Sequence, residues 1–285
     1  MTALIIDGKT MAQKVREELT AKISKLHIQP YLAVVLVGDD EASLIYDRNK
    51  KKAAEAAGMK CVIHHLAENV SEKEVVNLIE KLNSDNDVNG IIVQMPLPKH
   101  LNANKIIEKI DFAKDVDGFG FENLGRLHAN EKSAMVAATP QGVLYMLKET
   151  LGDLSGKNAV IIGRSVIVGR PLASLLLNHN CTVTIAHSKT FNLSDLTKQA
   201  DIVIAACGCP KMVKKDWIKE GAAVVDVGIN RIDGKLCGDV DFDEVKEKAG
   251  YITPVPGGVG PLTVAMLLKN TLCAYIKQNE GLENT

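Results

Sequence analysis

The chain has 285 residues, enough for one large domain or two of ordinary size, and 46% of them are hydrophobic, ample for a core, while only 4% are aromatic. A formal net charge of −1, with no long cationic block, removes any electrostatic case for nucleic acid. The opening MTALIIDGKTMAQKV lacks the charged lead and apolar stretch of a signal peptide, and no apolar run approaches membrane-spanning length, so a cytoplasmic protein with no membrane partner is expected.

In chain order, LAVVLVG (32–38) reads as a buried strand. SLIYDRNKKKAA (43–54) and its Ala-rich continuation to Gly58 read as a helix, with Ile45, Asn49, Ala53 and Ala56 inward. Tyr46 and Lys50, one turn apart, then lie at the edge of that face with Ala57, while Asp47, Arg48, Lys51 and Glu55 point away. On its own the pair is a snorkelling lysine beside a surface tyrosine. MKCVIHHL (59–66) is the next strand, and His64-His65 reads as part of its end. SEKEVVNLIEKLNSD (71–85) is a helix opened by Ser71 and Glu74 in capping-box spacing. VNGIIVQMPLP (88–98) is a strand stopped by two prolines. Such alternation implies a parallel sheet whose ligands gather at the strand C-termini, where Gln94 and the loop into Tyr46 and Lys50 fall. In KDVDGF (114–119), local capping accounts for one of Asp115 and Asp117. The other is free for a cationic or N–H-rich ligand.

After a polar, less regular stretch (111–133) the alternation resumes with NAVIIG (158–163), the helix PLASLLLNH (171–179), and the strands CTVTIAHS (181–188), ADIVIAACG (200–208) and AAVVDVGIN (222–230). IIGRSVIVGRPLAS (161–174) is a strand, a glycine-bearing turn and a helix start. Its Gly163–Gly169 spacing is not GxGxxG, yet glycine lets a phosphate approach the backbone and a helix N-terminus offers unpaired N–H groups. The following strand ends in AHSKT, with no acid to grip a ribose hydroxyl. With Arg164 in the first turn, this points to NADP over NAD, unless Ser188 and Lys189 merely start a loop. TPVPGGVGPLT (253–263) fixes a stiff loop suited to lining a cleft, and TVAMLLKNTLCAYIKQ (263–278) is a long amphipathic helix expected to pack on the first lobe. The six cysteines show no zinc spacing, Cys207-Gly-Cys209 being the only close pair, and no metal is expected. The fold class is α/β, in two lobes with a cleft between them: an N-terminal parallel α/β lobe and a Rossmann-type NADP-binding lobe.

A YxxxK beside a Rossmann lobe suggests the short-chain dehydrogenases, but there the glycine-rich turn comes first, and here it comes second. The sequence resembles, nearly end to end, the bifunctional methylenetetrahydrofolate dehydrogenase/cyclohydrolase family, through LAVVLVGDDEASLIYDRNKKKAAEAAG, GIIVQMPLP, KDVDGF, ATPQGV, VIIGRSVIVGRP, HSKT, VVDVGIN and PVPGGVGPLT in that order. Ala138 stands where cysteine is common and Leu262 where methionine is, both apolar exchanges. The resemblance implies a folate-binding catalytic domain of residues 1–119 plus the C-terminal helix 264–285, and an NADP-binding domain of 120–263. It implies oxidation of 5,10-methylenetetrahydrofolate with NADP, then hydrolysis of the methenyl product to 10-formyltetrahydrofolate, serving one-carbon supply to purine, methionine and histidine synthesis. The implied catalytic set is Lys50 as general acid/base, Gln94 holding its amine, Tyr46 packing on the folate and Asp117 accepting from the pterin. Val93, Met95, Pro256, Gly257, Gly260 and Thr263 would complete the folate site. Gly163, Arg164, Ser165, Ser188 and Ile229 would hold the cofactor. The partners implied are tetrahydrofolate derivatives and a second copy of the chain, a homodimer through the cofactor lobe. Competing readings are a dehydrogenase without the second step, an amino-acid or shikimate-type dehydrogenase, and a non-catalytic NADP-binding regulator. Retention of both Lys50 and Gln94 argues against the first, and retention of Lys50, Gln94 and Asp117 together against the third. The KDVDGF and PGGVGPLT loops argue against the second.

Overall fold

A computed structural model describes residues 2–279. From the N-terminus, β1 (Leu4–Ile5) leads into α1 (Gly8–Ile23). Three strand–helix steps follow: β2 (Tyr31–Val37) with α2 (Glu41–Ala56), β3 (Lys60–Leu66) with α3 (Glu72–Ser84), and β4 (Gly90–Val93) with the short α4 (Ala103–Ile107). Helices α5 (Phe121–His128) and α6 (Ala138–Leu151) come next. The second run is β5 (Asn158–Ile162), α7 (Gly169–Leu177), β6 (Thr182–Ala186), α8 (Leu193–Thr197), β7 (Ile202–Ala205) and β8 (Ala223–Asp226). A hairpin of β9 (Asn230–Ile232) and β10 (Lys235–Cys237), the turn of helix α9 (Phe242–Val245), β11 (Tyr251–Ile252) and α10 (Val259–Asn279) complete the described chain.

These elements form two compact units, residues 14–136 with 264–285 and residues 1–13 with 137–263. The first holds a three-stranded parallel sheet, order β3-β2-β4. All seven residues of β2 are buried, as a central strand covered on both faces requires. Helix α3 carries the predicted capping box, with the Ser71 side chain and the Glu74 side chain each serving the other's backbone N–H, and it buries Val75, Ile79 and Leu82 at helical spacing. The second unit holds a six-stranded parallel sheet, order β1-β11-β8-β7-β5-β6.

The unit boundaries differ from the predicted domain limits at both ends, for identifiable reasons. Residues 1–13 join the six-stranded unit because β1 pairs in parallel with β11, Leu4 against Tyr251 and Ile5 against Ile252. Residues 120–136 stay with the three-stranded unit. There Asn123, 1% exposed, donates to the Asp115 carboxylate and accepts from the Met135 N–H, while Asn270 of α10 donates to the Val136 carbonyl. Residues 280–285 of the predicted C-terminal segment lie outside the described residues.

Helix α10 also departs from expectation. It starts at Val259 and is apolar and long enough, by length and composition, to cross a membrane, where the sequence suggests no run of that kind. Its most apolar window is 61% buried, and Ala265, Met266, Leu267 and Leu268 are buried in succession. A helix buried on consecutive residues is a core helix, not the amphipathic one predicted.

Candidate active site

In the three-stranded unit, the C-terminal ends of β2 and β4 bring together residues distant in sequence. Helix α2 follows β2, and its buried face is not the predicted one. Asp47 is 1% exposed, Lys50 6%, Ala54 and Ala57 are buried, and Asn49 and Ala56 are exposed. The side chain of Ile45 lies outside the described residues. The inward set is thus 47, 50, 54 and 57, an i, i+3, i+7, i+10 stripe, which turns the helix about one residue from the predicted phase. Asp47, predicted to point outward, is a buried partner of Lys50 at 3.1 Å.

Gln94 follows β4 directly, its N–H donating to the Val35 carbonyl at 2.8 Å. Its Oε1 accepts from Lys50 Nζ at 2.5 Å, and its Nε2 donates to the Met95 carbonyl at 2.5 Å, so the amide orientation is set by two bonds. Lys50 Nζ also lies 4.5 Å from the centre of the Tyr46 ring. Burial, then the nearby Asp117 and Asp47 charges, push the Tyr46 hydroxyl up to about 12, so it stays protonated. Burial pushes the Asp47 carboxyl up against the opposing pull of Lys50. Met95 is half-buried, whereas the Val93 side chain is 3% exposed within the core, so Val93 presents only backbone to a ligand.

Asp117 stands on a loop tied at every neighbouring residue. The Lys114 ammonium donates to the carbonyls of Leu82, Asn83 and Asp85 at the end of α3. Asp115 accepts from the N–H groups of Gly118, Phe119 and Gly120, and pairs as a bridge with Ile91 of β4. Asn270 of α10 holds the Val116 carbonyl at 2.8 Å. Asp115 is therefore the capping acid of KDVDGF, and Asp117 carries no hydrogen bond from the described residues. Burial, with help from Asp115 and Asp47 and opposed by Lys50, pushes its carboxyl up to about 7.

The six-stranded unit builds a different site. From β5 the chain passes to β6 on one side of it and then to β7 on the other, a switch point where ligands bind at the strand C-termini. A cavity of about 350 Å³ opens there, lined by Gly163, Arg164, Ser165, His187, Ser188, Cys207 and Cys209, among others. Gly163 has φ +132°, and a Cβ on it would stand 2.1 Å from the Ala206 carbonyl oxygen; a Cβ on Gly169 would stand 2.1 Å from that of Gly163. Ser165 Oγ accepts from the N–H groups of Val168 and Gly169 and so shapes the start of α7. The HSKT turn is closed by the Thr190 hydroxyl, which accepts from the His187 N–H at 2.9 Å, leaving Ser188 and Lys189 exposed. The exposed Arg164 completes a glycine cradle, a helix N-terminus and a cation with no acid at the strand end, a donor set that fits a phosphorylated dinucleotide.

A second cavity of this unit, about 190 Å³, is lined by Ile229, Asp226, the 254–261 loop and Lys9. Ile229 is 69% exposed, Pro256, Gly257 and Gly260 lie on the lining, and the Thr263 hydroxyl is 3.0 Å from that of Thr139. Lys9 was not predicted here, because nothing in DGKT announces that β1 joins this sheet. Also unpredicted is a pair of buried acids under the loops. Asp226 accepts from the N–H groups of Gly228, Asp239 and Val240, and Asp239 accepts from those of Cys207 and Gly208 and from the Asn230 amide. Their partners come from 2 to 32 residues away, a distance that local pattern does not encode. Among the described residues, no group of three His, Cys, Asp or Glu is placed to hold a metal ion.

A family model described as the tetrahydrofolate dehydrogenase/cyclohydrolase catalytic domain matches residues 6–117, and one described as the NAD(P)-binding domain of the same family matches residues 137–279. The bifunctional protein FolD of Listeria innocua is 54% identical over 274 residues, 95% of this chain and 96% of that protein. The solved bifunctional methylenetetrahydrofolate dehydrogenase/cyclohydrolase FolD of Campylobacter jejuni is 49% identical, with a TM-score of 0.95 over 97% of this chain and 99% of that one. The Trypanosoma brucei enzyme, solved with NADP cofactor and inhibitor, is 38% identical, with a TM-score of 0.93 over 97% and 98% of the two chains.

Proposed function

The chain belongs to the tetrahydrofolate dehydrogenase/cyclohydrolase family, and on that premise we propose how its residues divide two reactions. The protein oxidises 5,10-methylenetetrahydrofolate to the methenyl form with NADP, and hydrolyses that product to 10-formyltetrahydrofolate. NADP, when bound, accepts the hydride. Hydride loss is driven by the nitrogen lone pair beside the methylene carbon, so the protein's part in that step is placement. Gly163 and Ser165 receive the phosphates at the start of α7, Arg164 and Ser188 read the 2′-phosphate, and Ile229 supports the cofactor at the second cavity. Asp117 orients the pterin by accepting from its amino-pyrimidine edge, and Tyr46 packs its ring on the folate. Met95 and the Val93 backbone complete the folate contacts of the three-stranded unit, and the loop bearing Pro256, Gly257, Gly260 and Thr263 is a further folate-contact segment within the six-stranded unit.

Water addition needs a proton carrier, and Lys50 supplies it. Water attacks the methenyl carbon and its proton passes to the Lys50 amine. The ammonium then gives a proton to the ring nitrogen that leaves as the C–N bond breaks, and the freed amine takes the remaining hydroxyl proton as the formyl C=O forms and passes it to solvent. Gln94 fixes the amine. The observation that carries this reading is a lysine 6% exposed, aimed at a glutamine whose own amide is locked by a backbone carbonyl. A spectrophotometric assay with methylenetetrahydrofolate and NADP tests it: NADPH and the methenyl compound form first, then the methenyl signal decays to 10-formyltetrahydrofolate. NADPH formation without that decay contradicts the second role.

The chain acts as a homodimer through the six-stranded unit. Strand β6 is an open edge whose Thr182, Thr184 and Ile185 side chains are exposed, and Leu177 and Phe191 beside it in sequence are 57% and 90% exposed. A cytoplasmic site of action accords with six free cysteines, and the formyl product serves one-carbon transfer to purine, methionine and histidine synthesis.

A further inference from the structure

Asp47 takes no part in the reactions as derived above, yet it is 1% exposed and its Oδ1 stands 3.1 Å from the Lys50 ammonium. Its Oδ2 is buried with no hydrogen-bond partner among the described residues. A buried carboxylate with half its acceptor capacity unused opposes folding, and an apolar side chain would fill this stripe of α2 at lower cost. The placement suits a counter-ion. Of the three ammonium N–H donors, one is directed to Asp47 and one to Gln94, which leaves a single direction for a reacting proton.

We infer that Asp47 is a positioning residue of the cyclohydrolase step, the counter-ion that holds the Lys50 amine against Gln94 and balances its charge when it takes the proton of the attacking water. The inference rests on the reading of Lys50 as the proton carrier. In that step the water O–H breaks, the O–C bond forms, and the positive charge of the methenyl carbon passes to Lys50 as ammonium. Asp47 stays anionic throughout, in the way a buried acid supports an imidazolium in hydrolytic triads. A cation forming beside a cation is unfavourable, and an opposite charge at this distance offsets that.

Other titratable groups face the pair. Tyr46 on α2 and Cys61 on β3 are pushed by burial up to about 12 and about 11, beyond the working range. Asp115, also raised by burial, is bound by four N–H donors. Lys51 and Glu55 are paired with each other, at 3.8 Å and half-exposed. Asp117, at about 7, is the group that could imitate an effect of Asp47, but it serves folate binding in both reactions, whereas Lys50 serves one.

Asp47→Asn keeps the shape and an acceptor oxygen but removes the charge. The ascending limb of its cyclohydrolase pH–kcat/KM profile is expected to move to lower pH. The plateau is expected to fall roughly 10-fold, a part of the ~10²–10⁴ that a general base supplies. Dehydrogenase is expected to stay within about twofold, with its profile in place. An unmoved cyclohydrolase profile overturns the inference. So does a shift common to both activities, which assigns it to Asp117, or a parallel fall of both rates at unchanged pH, which makes Asp47 merely structural. Asp47→Leu, apolar and suited to the buried face, is measured beside it and must move the limb the same way. Lys50→Gln separates the two readings. If it retains cyclohydrolase activity, both fail; if it loses that activity while the Asp47→Asn profile is unmoved, only the role of Asp47 fails.

Discussion

Arg164 follows the β5 glycine with its side chain exposed at the cofactor cavity, and Ser188 lines the same cavity from the turn after β6. Neither position offers a carboxylate, and on the proposed reading a 2′-phosphate would meet a cation where an adenosine ribose would ordinarily meet an acid. Arg164→Ala should therefore raise the KM for NADP and leave turnover with NAD nearly unchanged; equal losses with both cofactors would remove Arg164 from the 2′-phosphate. At the folate residues, Asp117 makes a pH prediction whose sign follows from its environment. Burial holds its carboxyl up at about 7, so the protonated form takes over as pH falls through that value, and with it the acceptor proposed for the pterin would be lost. The folate KM should rise below pH 7 and be flat above it in both reactions. Asp117→Asn should weaken folate use by about 1.5–3 kcal/mol and abolish that pH dependence. The same dependence in the variant would place the titrating group elsewhere.

Elements differ in how much of their placement could be read ahead of the structure. Strands β2, β4, β5, β7 and β8 were legible because strands buried on both faces must be continuously apolar, and α3 because its cap is local. The contact of Lys50 with Gln94 was legible from the resemblance. The burial of Asp47 was not, because the helix phase was set on Ile45, Asn49, Ala53 and Ala56, which turns Asp47 outward; Ala54 and Ala57, in phase with it and with Lys50, were the signal for the true face. The Asp226–Asp239 pair was illegible for another reason, since its bonds gather loops after β7, β8 and β10 from distant sequence. That pair yields a prediction about the elements it joins. Asp239→Ala strands the N–H groups of Cys207 and Gly208, and should cost at least about 2–3 kcal/mol of stability, measured by urea unfolding. It should also raise the KM for NADP more than that for folate. A variant of unchanged stability and cofactor affinity would show that the loops hold their shape without it.

At the scale of the whole molecule, the unit boundaries fall inside α1 and α10, so each unit is assembled from two separate segments of the chain, a division that composition along the sequence does not mark. Sedimentation at micromolar concentration should give a dimer of about twice 30.8 kDa for the wild type. Charged residues placed at Ile185 and Phe191 should give a monomer, and a dimer that survives them would exclude the β6 edge. The central claim is that one chain runs two reactions of which only the second uses the Lys50 amine. Glutamine is the better replacement, since methionine would leave the buried Asp47 carboxylate unpaired while an amide still donates to it. The direct test follows methylenetetrahydrofolate and NADP by stopped flow in Lys50→Gln, with NADP binding as the check on folding. NADPH formation should persist at a rate within about tenfold of wild type while conversion of the methenyl compound falls at least ~10²-fold, so that the methenyl compound accumulates. Equal loss of both steps in a folded variant would assign Lys50 to substrate positioning, and undiminished formation of 10-formyltetrahydrofolate would contradict its role altogether.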